Sequence, residues 1–355
     1  MYFLTTVSLT LESKKLKDKM AFRATFSIDF TNKAFVEAKI KKWQSGAQTF
    51  KIKTSGSTGL PREIELSRAL LIWSCKGTVD KLSLKNEKVL CCLPVEKTGG
   101  FMQLIRALHY GWQIHFVEPR QNPFNELTPA DATITSLTPH QLSKVMNESS
   151  GLLGHFNNIL IGGAHIEDDV LDQIKKFNKV NPDVIFWETY GMTETASHFA
   201  LKNITENEKY FTPNGGVKIE SIHGQLGVTI EELGICLETN DLAVVTKHKF
   251  KILGRVDDVI NSGGVKIHPS EIEPKIKKVI ADMGLKRDFY LAKRHDDNLG
   301  EMAVLVIEGY KIRDEAFLLE NLKRELPQYT APKRIAYTDA IRRTDTGKII
   351  RAIID

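Results

Sequence analysis

Six consecutive small residues, Thr54-Ser55-Gly56-Ser57-Thr58-Gly59, carry four hydroxyls and two glycines and nothing that can fill a core. Glycine tolerates backbone angles that turn successive N–H groups toward one point. A row of such groups beside hydroxyls makes a concavity for an anion, with phosphate the natural occupant. The Gly-Lys-Ser/Thr ending of the mononucleotide P-loop is missing, so the stretch is either a different phosphate cradle or an ordinary flexible loop. A phosphate site also needs a metal ligand, a ribose acceptor and a cation. Tyr190-Gly191-Met192-Thr193-Glu194-Thr195 offers a carboxylate among hydroxyls, which suits Mg²⁺ because that ion takes few protein ligands. Glu194 is otherwise a solvated loop carboxylate. Tyr190 presents a flat face for a base, or simply packs. Asp241, in Thr239-Asn240-Asp241-Leu242-Ala243 and expected just before a strand, is either an acceptor for vicinal ribose hydroxyls or a turn former. Lys348 lies just beyond a Thr-Gly turn in Arg342-Arg343-Thr344-Asp345-Thr346-Gly347-Lys348, one of 49 basic residues.

The elements that must position these residues alternate between strand and helix. Lys88–Leu93, Gln113–Val117, Asn158–Ile161 and Val184–Trp187 read as buried strands. Between them, Ser67 caps a helix through Leu70, Leu71 and Ser74, and Phe101, Leu104, Ile105 and Leu108 recur at helical spacing. Thr138-Pro139-His140-Gln141 has the form of a capping box. Val170, Ile174 and Phe177 mark a further helix. This alternation predicts an α/β sheet with helices on its faces, where ligands collect at the strand ends, near the loops at 54–59, 162–165 and 190–195. Residues 1–50 show no chemistry, although Phe26, Ile28 and Phe30 alternate like a strand and Phe35 to Trp43 fits a helix. The character changes near residue 255. Ser262-Gly263-Gly264-Val265-Lys266 is a second small-residue loop, Ser270 and Glu273 suggest another capping box, and strands and a helix follow. The expected fold is therefore α/β, with a large N-terminal domain (1–254) of sheets flanked by helices and a smaller mobile α+β C-terminal domain (255–355).

A chain of 355 residues exceeds one ordinary core. Its net charge of +5 is spread along the chain, which favours small anionic ligands over a nucleic-acid partner. The four cysteines show no metal-ligand spacing, and Cys91 and Cys92 should point to opposite faces of one strand. Reduced thiols, no evident signal peptide and no run long enough to span a bilayer give the expectation of a cytoplasmic protein without membrane insertion.

Read together and in order, TSGSTGLP, YGMTET, TNDLA, GRVDD, NSGGVKIHPSEIE and RTDTGKI resemble the signature motifs of the AMP-forming acyl-CoA synthetases, or adenylate-forming enzymes, from about residue 50 to the C-terminus. The compact length, YGMTETASH and the TND…GRVDDVINSGGVKI block are most similar to a subgroup that activates an aromatic dicarboxylic acid. The resemblance implies ATP, Mg²⁺, CoA and a small carboxylic acid as ligands. Thr54, Ser55, Gly56, Ser57, Thr58 and Gly59 would hold the β- and γ-phosphates, and Thr193 the α-phosphate. Gly162, Gly163, Ala164 and Tyr190 would line adenine, Asp241 and Arg255 would bind ribose, and Glu194 would hold Mg²⁺. Lys348 would bridge the acid and the α-phosphate, Asp257 would be the hinge, and the loop with Gly263, Gly264 and Lys266 would serve CoA. Lys97, Thr98, Gly99, Ser197 and His198 are the candidates for the acid pocket. The chain departs from the family at Arg62-Glu63, where Lys-Gly is usual, and at His165, where proline is frequent. The first loop also comes early, as though an N-terminal subdomain were trimmed. Transfer to a carrier protein and a non-catalytic nucleotide-binding role are the alternatives, and a homodimer is left open.

Overall fold

The structure is a computed structural model that describes residues 22–53, 62–124, 131–343 and 349–352, and the backbone of 9–10. Thr54–Gly59 and Lys348 lie outside the described residues. The chain parts into two compact units: residues 1–217 with 231–234, and residues 218–230 with 235–355.

The first unit is built on a nine-stranded sheet in the order Leu9–Thr10, Arg23–Phe26, Gln113–Phe116, Lys88–Cys91, Ile134–Leu137, Asn158–Ile161, Ile185–Met192, Ser197–Asn203, Thr212–Pro213. The strands from Arg23–Phe26 to Ile185–Met192 run parallel; the last two and Leu9–Thr10 are antiparallel to their neighbours. Side chains alternate across the pleat, so single strands feed two cores. Leu90, Cys92, Ile159 and Ile161 enter one, while Val89, Cys91 and Leu160 enter the other. Helices Pro139–Glu148 and Asp168–Asn178 cover the first face, and Lys33–Gln44 and Thr98–Tyr110 contribute to the second. The expectation that Cys91 and Cys92 part to opposite faces is met.

Local signals explain the helix ends. Ser67 accepts the Leu70 N–H at 3.2 Å. The Thr138 hydroxyl accepts from the Gln141 N–H at 3.1 Å while the Gln141 side chain accepts the Thr138 N–H at 3.0 Å, completing the box. Two readings are corrected. The strand at the Phe26–Phe30 alternation ends at Phe26, and Ile28 is 86% exposed. The capping box expected at Ser270 and Glu273 does not form: Pro269 opens the helix Pro269–Asp282, the Ser270 hydroxyl donates to the Leu253 carbonyl, and Glu273 is engaged elsewhere.

Strands Thr49–Lys53 and Glu63–Ser67 form a separate antiparallel ribbon in which Lys53 pairs with Glu63. The unexpected Glu63 also lies 3.1 Å from Lys51, so its charge closes the ribbon on the exposed side.

The second unit contains an antiparallel sheet of Val217–Ile222, Gln225–Ile230, Ile235–Val245 and Phe250–Arg255. A further sheet joins Ile260–Ser262, Val265–Ile267, Phe289–Asp296, Gly300–Glu308 and Arg334–Thr338. Helices Pro269–Asp282 and Glu315–Glu325 share one core with it through Ile272, Ile276, Leu318 and Leu322. Among the described residues no helix is long and apolar enough to cross a membrane.

Candidate active site

In the first unit the chain turns from Lys88–Cys91 outward to Gln113–Phe116 and then back past it to Ile134–Leu137, which makes a topological switch point. The carboxyl ends of these strands carry the candidate residues. After Cys91 the chain reaches Lys97, which occupies the N-cap of Thr98–Tyr110 without a side-chain cap bond. The Thr98 hydroxyl meets the Thr193 hydroxyl at 3.0 Å. A candidate for the acid pocket therefore touches a candidate for the α-phosphate, at the positive end of a helix.

The motif at 190–195 is narrower than a loop. The strand Ile185–Met192 carries Tyr190 and Gly191 with it, and only Thr193–Thr195 form a turn of 3₁₀ helix. Glu194 is exposed on that turn and makes no hydrogen bond or ion pair with the described residues. No cluster of three or more His, Cys, Asp or Glu among the described residues is arranged to hold a metal. A hard cation here would rest on one open carboxylate and on ligand oxygens, which fits Mg²⁺.

Gly162 and Tyr190 are brought together by the pairing of Ile161 with Glu188. Thr189 donates its hydroxyl to the Ile161 carbonyl at 3.0 Å, and a Cβ at Gly162 would lie 2.2 Å from that hydroxyl oxygen. Gly163 follows with φ +95°, where glycine is favoured. Tyr190 packs edge-on against Phe199 at 5.5 Å.

Behind this edge lies a buried polar cluster. Ala196 and Ser197 both adopt left-handed backbone angles, φ 50° and 82°, a costly arrangement for side-chain-bearing residues that is often found at functional sites. The Ser74 hydroxyl holds the Ala196 carbonyl at 2.7 Å. Thr78 donates to the Ser74 carbonyl at 3.1 Å, so its 2.9 Å contact with His198 has the ring Nε2–H donating. Nδ1 is then left to accept the Ser197 hydroxyl at 3.3 Å. Burial, aided by the positive charge of Arg106, pushes the His198 ring well below its ordinary range and keeps it neutral.

Arg106 is the residue that sequence reading missed. It is only 6% exposed, its Nε and Nη2 find no hydrogen-bond partner, and it makes no ion pair with the described residues. Burial pulls its guanidinium downward. Gln103, one turn earlier, is also buried, and neither of its polar side-chain atoms has a partner among the described residues. Buried polar groups are nearly always satisfied, so two such groups on one helix face are exceptions, and an anion or polar ligand is one partner that would satisfy them. An arginine inside an apolar run at helical spacing was the available signal.

In the second unit, Asp241 stands within the strand Ile235–Val245 rather than before a strand, and pairs in register with Arg255. The two side chains approach to 3.5 Å, and Arg255 also binds Asp257 at 2.8 Å. Burial lowers the Arg255 guanidinium, but the Asp257 hydrogen bond and the charges of Asp241, Asp257 and Asp258 outweigh it and leave it raised. The Asp257 carbonyl accepts from Lys293 at 3.2 Å. Gly263 and Gly264 take φ 58° and 83° in the two-residue turn between Ile260–Ser262 and Val265–Ile267, the geometry of a tight hairpin, with Lys266 exposed on the second strand.

Comparison with known proteins gives four consistent findings. The profile of the family described as AMP-binding enzyme matches residues 9–224. The acyl-CoA synthetase (AMP-forming)/AMP-acid ligase II-like protein of Dyadobacter fermentans is 32% identical in sequence, with a TM-score of 0.60 over 89% of this chain and 91% of that one. The 2-succinylbenzoate–CoA ligase of Listeria monocytogenes is 24% identical over 373 residues, 97% of this chain and 78% of that protein. The fold is also that of the Bacillus subtilis o-succinylbenzoate coenzyme A synthetase solved with ATP and magnesium ion, at 20% identity and a TM-score of 0.71 over 85% of this chain and 68% of that one.

Proposed function

The chain belongs to the AMP-binding enzyme family, and from that premise we propose that it is the ligase that joins 2-succinylbenzoate to CoA in menaquinone biosynthesis. It is an acid–CoA ligase that uses ATP, Mg²⁺ and CoA. A carboxylate oxygen of the acid attacks the α-phosphorus of ATP, and pyrophosphate leaves with the electrons of the broken P–O bond. The CoA thiolate then attacks the acyl carbon of the adenylate, and AMP departs.

Each assigned residue meets one physical demand of this scheme. The amides of Thr54–Gly59 hold the terminal phosphates, and Thr193 holds the α-phosphate. Gly162, Gly163, Ala164 and Tyr190 receive the adenine, and Asp241 with Arg255 the ribose. Glu194 is the carboxylate that would hold Mg²⁺, which when bound neutralises charge spreading over the phosphates. Lys348 draws the attacking carboxylate to the α-phosphate against their mutual repulsion. Movement of the 255–355 domain about Asp257 withdraws the lysine after the first step and brings Gly263, Gly264 and Lys266 to the thiol. Four cysteines without disulfides accord with a reducing cytoplasm.

The observation that carries the choice of acid is Arg106. 2-Succinylbenzoate has one carboxylate that reacts and one that must be bound without reacting. A buried guanidinium with free donors, beside a histidine held neutral, supports pairing with the second. Lys97, Thr98, Gly99 and Ser197 line the remainder of this pocket in our reading. The test is pyrophosphate release from a panel of 2-succinylbenzoate, benzoates, and short and medium fatty acids. A clear preference for 2-succinylbenzoate is expected. A preference for fatty acids overturns the substrate and leaves the chemistry standing.

A further inference from the structure

Two titratable groups sense the charge of Arg106, and neither balances it. Burial pushes the Cys75 thiol up to about 12, so it keeps its proton at neutral pH. The His198 ring is held neutral as well. Arg106 itself feels the charge of Cys75 but of no carboxylate among the described residues. Its unpartnered donors, Nε and Nη2, lie along one edge of the planar guanidinium. That edge presents two parallel N–H groups, which is the geometry that receives both oxygens of a carboxylate. The chain has therefore placed a charge inside the first unit and left its counter-charge to a ligand.

Gln103 stands three positions earlier on the same helix, Thr98–Tyr110, and residues at that spacing are neighbours on one face. It is 3% exposed, and neither Nε2 nor Oε1 has a partner among the described residues. A glutamate here would have the same length and shape. It would also sit N-terminal to the arginine, the favoured order for an ion pair within a helix, and would close the guanidinium to any other anion. Glutamine supplies N–H donors in the same place without the charge. A carboxylate accepts at about four lone-pair positions, so the arginine edge leaves room for a third donor. Resting on the ligase reading above, we infer that Gln103 is a specificity-determining residue for a diacid. Its Nε2–H donates to the non-reacting carboxylate that Arg106 receives, and its neutrality keeps the guanidinium open to that carboxylate.

The experiment measures kcat/KM for pyrophosphate release in the full-length protein and in Gln103→Glu and Gln103→Met. Each is given 2-succinylbenzoate and the matching monoacid, in which hydrogen replaces the non-reacting carboxylate; melting curves report folding. The wild type is expected to prefer the diacid. Gln103→Glu should lower kcat/KM for the diacid by about 100-fold, because its own carboxylate takes the arginine, and leave the monoacid within about threefold. Gln103→Met should lower the diacid by about 10-fold and likewise spare the monoacid. Folded variants that affect both acids alike, or a Gln103→Met that keeps the wild-type rate on the diacid, overturn the role of Gln103 and leave the ligase reading in place. A wild type that releases pyrophosphate with neither acid, or with both equally, overturns the diacid reading and this inference with it.

Discussion

Replacing Arg106 by methionine should move stability and activity in opposite directions. In the free protein this arginine is 6% exposed, and its Nε and Nη2 have no partner among the described residues, so folding bears a desolvation cost that these donors do not repay. Methionine fills much the same space without that cost. Removing buried unsatisfied donors is worth about 1–3 kcal/mol, so the melting temperature of Arg106→Met should rise. Binding responds the other way. Truncating one partner of a buried charge pair costs about 2–5 kcal/mol. At a loss of about 3 kcal/mol, kcat/KM for 2-succinylbenzoate falls by about 150-fold. A monocarboxylate such as benzoate has no second charge to lose and should change little. The His198 ring supplies a cross-check, because without the neighbouring positive charge its titration should move back toward the ordinary range. Differential scanning calorimetry and steady-state kinetics with both acids are sufficient. A lowered melting temperature, together with equal effects on mono- and dicarboxylates, refutes the reasoning and makes Arg106 a structural residue.

Two further outcomes follow from the same region. His198 is held neutral in the folded state by burial and by Arg106, whereas in the unfolded chain it binds a proton near pH 6.5. The unfolded state therefore takes up more protons as pH falls, and stability present above pH 6.5 is lost below it. Between pH 7.5 and 5.5 this amounts to about 1.4 kcal/mol. His115 is shifted in the same direction, chiefly by burial, so the measurement is the difference in acid sensitivity between wild type and His198→Gln. Equal slopes would show that His198 is not the group concerned. At Gly191 a Cβ would lie 2.2 Å from the Ser197 carbonyl oxygen and 2.4 Å from the His198 Cα, both backbone atoms that cannot swing aside. Gly191→Ala should cost about 3 kcal/mol of stability. Denaturant unfolding followed by tryptophan fluorescence would expose the error if the variant matched the wild type.

The sheet and its helices were legible because buried parallel strands and amphipathic helices leave strong periodic marks. The caps at Ser67 and Thr138 are local and could be read residue by residue. Glu273 misled because its spacing from Ser270 imitates a cap, while its partner Arg351 lies 78 positions away, a distance that local pattern cannot see. Asp241 was placed before a strand for a similar reason: the polar run Thr239-Asn240-Asp241 looks like a turn, but the strand continues through it, with a shift of register beyond Leu242. Arg106 sits among Leu104, Ile105 and Ala107, all fully buried, and a charge inside an apolar run is a signal of place but not of burial. Its burial is a tertiary fact, created where helix Arg68–Leu82, helix Thr98–Tyr110 and strand Ser197–Asn203 pack together.

One helix carries both Thr98, against the Thr193 turn, and Arg106. From one to the other it rises about 12 Å, and its hydrogen-bonded backbone does not stretch. If each end holds one carboxylate, the helix is a gauge that sorts acids by the separation of their charges rather than by bulk. Such a gauge has coarse graduations. Inserting one residue would swing the guanidinium about 100° around the axis, away from the acid, and a facing arginine returns only after a whole turn of about 5.4 Å. Acceptance of longer diacids should therefore come in jumps.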